Sequence, residues 1–141
     1  MTSKTKMLTM QTAYWLGVIV DALWTLALVS PSLFGLLTGR PGFDPDLPLR
    51  LAMGIGASLM AGWTLLLAWA SRDPVERRGV LLLTACPVIS GLAVVAVVGI
   101  VIDGASYYWI LGKLALLFGF VLSGFHFGNQ LAKETANGIR H

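Results

Sequence analysis

Residues 79–102 read GVLLLTACPVISGLAVVAVVGIVI, a run without one Asp, Glu, Lys or Arg. A helix needs about 20 mainly apolar residues to cross about 30 Å of hydrocarbon. This run is long enough, and it never alternates apolar with polar residues as a strand of a membrane barrel does. Backbone groups in lipid must be paired within their own segment, so the run predicts a helix. Pro87 lies inside it and predicts a kink, with Thr84 or Ser90 near enough to satisfy the backbone groups that the proline releases.

Three more stretches of the same kind flank it: residues 12–37 with Asp21 and Pro31 inside, residues 51–70, and residues 107–127 with Lys113 inside. The composition agrees. Of 141 residues 56% are hydrophobic and 12% charged, with a mean hydropathy of +0.77. About 25% charge is usual for a soluble domain. That contrast excludes a water-soluble monomer, a disordered chain and a nucleic-acid binder with a basic face. A single cysteine, Cys86, excludes an internal disulfide, a dithiol redox pair and a thiolate zinc site. The expected fold is all-α: a single transmembrane domain over residues 1–141, built as an antiparallel up-down-up-down four-helix bundle.

Lys and Arg near span ends set orientation. Lys4, Lys6, Arg72, Arg77, Arg78, Lys133 and Arg140 fall on one side of a four-span chain, and only Arg40 and Arg50 on the other. Both termini are therefore expected in the cytoplasm; the small size and the resemblance given below imply the inner membrane of a bacterium. Tyr14, Trp15 and Trp69 near one interface, and Tyr107, Tyr108 and Trp109 near the other, suit aromatic belts. The first span is too long for a signal-peptide core and carries Asp21, so a cleaved leader is not expected. The loop TGRPGFDPDLPLR, residues 38–50, reads as an ordered, capped turn, and SRDPVERR, residues 71–78, makes spans two and three antiparallel neighbours. Asp103-Gly104 reads as another tight turn.

In lipid, close backbone contact and polar pairs draw helices together. Small residues four apart supply such faces: Gly17 with Asp21 and Thr25 in span one, Gly54, Ser58 and Gly62 in span two, Ala115, Gly119 and Ser123, then Gly124 and Gly128, in span four. These are expected packing positions, within one chain or against a second copy.

Two residues cost something where they sit. An acid or base at a helix centre costs about 2.5–3.5 kcal/mol on insertion scales. Asp21 falls near mid-depth of its span and Lys113 roughly 10 Å from an end. An Asp21–Lys113 pair would neutralise both. Alternatively Asp21 is a titrating or ligand-binding group, with Trp24 and Trp63 at similar depth as pocket walls. His126 lacks a second histidine at matching depth, since His141 lies in the tail, so a single chain cannot make a bis-histidine haem, although a dimer or a partner subunit could, and no activated serine is expected. No catalytic residue, metal site or cofactor is read from the chain, and the reading leans away from an enzyme.

With Arg50 opening span two, Gly54, Gly56 and Gly62 behind it, and the Asp103-Gly104 turn, the layout resembles small bacterial four-helix membrane proteins of the DoxX-like kind. That resemblance implies an accessory membrane subunit and carries over no functional residue. One acid in the first span, Asp21, also looks like the small multidrug resistance transporters, whose acid is a Glu and whose outer loop is shorter. The leading expectation is a non-enzymatic accessory or ligand- or lipid-binding subunit, acting as a homodimer or in a larger membrane complex, with membrane lipids as partners and no nucleic acid. A proton-coupled transporter acting as a dimer, with Asp21 as coupling group, is the alternative, and a lipid or quinone slot between spans is the third.

Overall fold

The computed structural model describes residues 2–103 and 108–138, and all the regular structure among them is helical. The elements are α1 (Ser3–Val29), α2 (Pro31–Thr38), α3 (Leu47–Ala70), α4 (Gly79–Leu83), a π-helical turn (Thr84–Ile89), α5 (Ser90–Asp103) and α6 (Tyr108–Gly138). Four stretches are long and apolar enough to cross a membrane: Ser3–Val29, Leu47–Ala70, Gly79–Ile102 and Ile110–Glu134. The protein is thus a small polytopic membrane protein. Its large apolar side chains face outward as lipid demands. Leu36, Val101, Ile102 and Leu116 are each at least 74% exposed, an arrangement that water would penalise at about 25 cal/mol per Å² of apolar surface.

The helix ends differ from the hydropathy boundaries for local reasons. The first helix begins at Ser3 rather than near residue 12 and stops at Val29 rather than running to 37. Ser30 adopts an extended backbone and Pro31 takes the first position of α2, where its missing N–H costs nothing. The Ser30 hydroxyl accepts from the Leu33 N–H at 3.5 Å. α2 ends at Gly39, whose φ of 73° is the left-handed conformation that glycine adopts without strain. α3 begins at Leu47, before the expected residue 51, because the Asp46 carboxylate caps it, accepting from the Leu49 N–H at 3.1 Å. The expected turn after residue 37 is therefore shorter, and ordered. A Cβ on Gly35 would press into the Arg40 carbonyl and the Phe43 side chain, so glycine lets the loop fold back here. Phe43 then stacks on Phe34 with ring centres 5.1 Å apart.

α6 runs through Gly138, well past the expected end at residue 127. At 1.5 Å per residue its 31 residues measure roughly 46 Å, against about 30 Å of hydrocarbon. The polar stretch at its end, through Gly138, is helix. Gly104, Tyr107 and His141 lie outside the described residues, and with them the expected turn after Asp103.

At Pro87 the helix changes its winding. Thr84–Ile89 is wound as a π turn, wider than the α-helix on either side. Ser90 donates from both its backbone N–H and its hydroxyl, the latter at 3.3 Å, to the Ala85 carbonyl five residues back. The Thr84 hydroxyl donates to the Val80 carbonyl at 2.9 Å.

Contacts divide the chain into two compact units, Met1–Tyr14 with Ala70–His141, and Trp15–Trp69. In the first, Gly124 lies against Ala13 and Leu81, and Gly128 against Met10 and Arg78. Residue numbers fall along α6 as they rise along both α1 and α4, so α6 is antiparallel to each. A Cβ on Gly124 would come within 2.9 Å of Ala13 Cβ, and one on Gly128 within 2.9 Å of Met10 Sδ. Only glycine allows this approach. Polar clasps surround it. The Tyr14 hydroxyl donates to the Arg77 carbonyl at 2.8 Å, and Tyr14 is fully buried. Arg78 donates from Nε to Asn129 Oδ1 at 2.6 Å and from Nη1 to the Val75 carbonyl at 2.8 Å. Lys6 pairs with Glu134, and Arg77 with Asp73 at 2.7 Å.

In the second unit α1 and α3 are antiparallel, since Gly17 faces Leu67 while Gly56 faces Leu28. A Cβ on Gly17 would stand 3.1 Å from Leu67 Cδ1. The other small residues of α3 behave differently, and they lead to the site.

Candidate functional site

Gly54, Ser58 and Ala61 share one face of α3, spaced at three and four residues. A Cβ at Gly54 would meet nothing within 4 Å, and the same holds at Gly62 and at Gly119 of α6. Within its own unit nothing closes on that part of α3. Instead it forms one wall of an open groove of about 440 Å³. Leu28 and Pro31 line the facing side, and Arg50 stands at the end where α3 begins. From Arg50 to Ala61 the groove follows α3 for roughly 16 Å. The break at Ser30 helps create it, because α1 stops where a continued helix would have run on beside the start of α3.

Arg50 is held in place. It donates from Nε to the Pro45 carbonyl at 3.2 Å and from Nη2 to Asp44 Oδ1 at 3.0 Å. Asp44 is almost fully open, its side chain 84% exposed, while Arg50 is 56% exposed. The end of the groove therefore carries a positive and a negative group side by side, over an otherwise apolar trough with the Ser58 hydroxyl on its wall.

Asp21 lies one helical turn before Thr25, which also lines the groove. Asp21 is 8% exposed, and its Oδ2 is buried with no hydrogen-bond partner. The Thr25 hydroxyl does not serve it, donating instead to the Asp21 backbone carbonyl at 2.8 Å. An unpaired buried polar atom is costly, and more so when charged. Trp24, on the same helix, packs edge-on against Phe34 with ring centres 6.3 Å apart, and Trp63 is half-buried on α3. Lys113 is exposed on α6, in the other unit. Ala115 is exposed on that helix, while the Ser123 hydroxyl donates to the Phe120 carbonyl at 2.7 Å.

Comparison with protein-family models, with curated proteins and with solved structures finds no match to this chain. The site must therefore be read from its own chemistry. Among the described residues no group of three or more His, Cys, Asp or Glu converges as metal ligands would. His126 Nε2 lies 2.9 Å from the Gln130 amide one turn along α6, beside Phe127. Cys86 is exposed within the π turn. What the arrangement can do is hold an elongated apolar body against α3 with a polar end at Arg50.

A slot between spans is among the expectations from the sequence, but its residues are not. The small-residue spacing of α3 is the signal that marks it, but the same spacing also describes a packed helix contact.

Proposed function

We propose that this chain is a non-enzymatic accessory subunit that binds a membrane amphiphile in the groove between α1 and α3. One observation carries the reading: a trough walled by small residues, unfilled by the side chains of its own unit, with a fixed guanidinium at its end. Helices in lipid gain from close packing, so a stripe of small residues left open within its own unit is suited to a guest. The layout resemblance to DoxX-like proteins supports the accessory role. The count of seven basic residues against two supports an inner-membrane placement with both termini cytoplasmic.

The test is to fill the trough. Gly54→Leu has room for its side chain, so the fold should persist while bound amphiphile is lost. Native mass spectrometry of the wild type and of this variant, purified from the same membranes, reads that loss. Equal lipid adducts on both would end the proposal.

A second reading rests on Asp21, whose unpartnered buried oxygen suits a group that exchanges a proton. On that reading the chain is a proton-coupled small transporter working as a dimer. Asp21→Asn would then abolish a proton-linked flux in proteoliposomes while leaving thermal stability intact. A structural role for an Asp21–Lys113 pair gives a different result. Asp21→Asn and Lys113→Met would each destabilise the protein, and the double variant would recover about 0.5–3 kcal/mol relative to their sum.

A further inference from the structure

The end of the groove carries both signs of charge. Asp44 Oδ1 accepts from Arg50 Nη2 at 3.0 Å, and Arg50 Nε is used on the Pro45 carbonyl. A guanidinium has five N–H donors in a planar fork, so the Nη1 edge remains for a further acceptor. The second Asp44 oxygen, on a side chain 84% exposed, remains for a further donor. A purely anionic headgroup would gain the first contact and be repelled by Asp44. A purely cationic one would meet the reverse. A headgroup that carries an anion and a primary ammonium a few bonds apart satisfies both at once, closing a ring of alternating charge.

We infer that the amphiphile is a zwitterionic amino-phospholipid: its phosphate oxygen on Arg50, its ammonium on Asp44, and one acyl chain along Gly54, Ser58 and Ala61. This rests on the groove-binding reading above and names its ligand class. The trough, roughly 16 Å long beside α3 and about 440 Å³ in volume, suits one chain. The other chain of the lipid stays in the bilayer. Asp44, not Asp46, is the acid held against the guanidinium, while Asp46 Oδ1 caps α3 through the Leu49 N–H.

The experiment offers the full-length protein in nanodiscs an equimolar mixture of three lipids with identical acyl chains and ethanolamine, glycerol or choline headgroups. Lipids retained after transfer to detergent are counted by native mass spectrometry. Expected is retention of the ethanolamine lipid over each of the others by roughly tenfold, the worth of one charge-assisted hydrogen bond. The choline lipid has the charge but no N–H, and the glycerol lipid has the phosphate but no cation. Asp44→Asn should erase the preference for ethanolamine, and Arg50→Gln should lower retention of all three. Should Arg50→Gln fail to fold, Asp44→Asn on its exposed side chain decides alone. Retention that Gly54→Leu abolishes, but that favours glycerol or is blind to the headgroup, overturns the headgroup assignment and leaves the groove reading standing. A preference for ethanolamine that survives Asp44→Asn does the same. Retention unchanged by Gly54→Leu overturns both.

Discussion

Two glycine stripes of similar spacing do opposite things in this molecule. Gly124 and Gly128 of α6 are pressed against Ala13, Met10, Leu81 and Arg78, so closely that a single methyl would collide. A Cβ on Gly54 or Gly62 of α3 would meet nothing within 4 Å. The first pair is ringed by hydrogen bonds from Tyr14 and Arg78 and by the Lys6–Glu134 pair. Gly54 of the second, with Ser58 and Ala61, borders a trough with an exposed ion pair at its end. Small residues thus permit close approach without dictating it. The neighbouring side chains decide which use is made of them.

The contrast can be broken most forcefully at Gly124. Gly124→Leu should cost about 1–3 kcal/mol or more through overpacking, seen as a lower melting temperature in detergent and a rise in aggregated material. A neutral result would mean that α1 and α4 do not hold α6 as closely as described. Next comes Arg78→Ala, which strands the Asn129 side chain and the Val75 carbonyl. A loss of about 1–3 kcal/mol is expected, and Arg78→Lys should recover little of it, since an ammonium cannot reproduce the fork. Denaturant titration of both variants measures the difference. Lys6→Gln removes a partly exposed ion pair and should cost about 0–1 kcal/mol, less at high salt. A loss as large as that of Arg78→Ala would show the Lys6–Glu134 clasp to be a main fastening. The smallest effect is expected at Gly54→Leu, within about 0.5 kcal/mol. A thermal shift as large as that of Gly124→Leu would show the trough to be closed in the membrane.

Much of the fold is legible in the amino-acid sequence because apolar length is a direct physical demand of lipid. The four long apolar helices follow from it. Their ends do not, because hydropathy is blind to a helix that continues into water. α1 starts at Ser3 since nothing in SKTKMLTMQ breaks a helix, and α6 continues through Gln130 and Lys133 for the same reason. The stop at Val29 was written in Ser30-Pro31, a cap followed by a first-turn proline, but an apolar run on both sides masked it. Asp21 stood out as a costly residue, and it is indeed buried. The groove beside it was not legible. Spacing on one helix says which residues share a face, and only the path of the neighbouring helix says whether that face is covered.

The π turn at Pro87 sets the azimuth of everything beyond it. Pairing five residues back instead of four accommodates one surplus residue. Deleting one residue between Thr84 and Ile89 would restore ordinary winding with the phase of α5 kept, but winding all six residues as α-helix would swing α5 by about 100° relative to α4. Leu81, seated on Gly124, would then keep its place, while Ala96 would yield its inward position to a bulkier valine neighbour. The proline fixes not so much a bend as a phase: it chooses which stripe of a nearly uniform Val-rich rod is turned toward protein and which toward lipid.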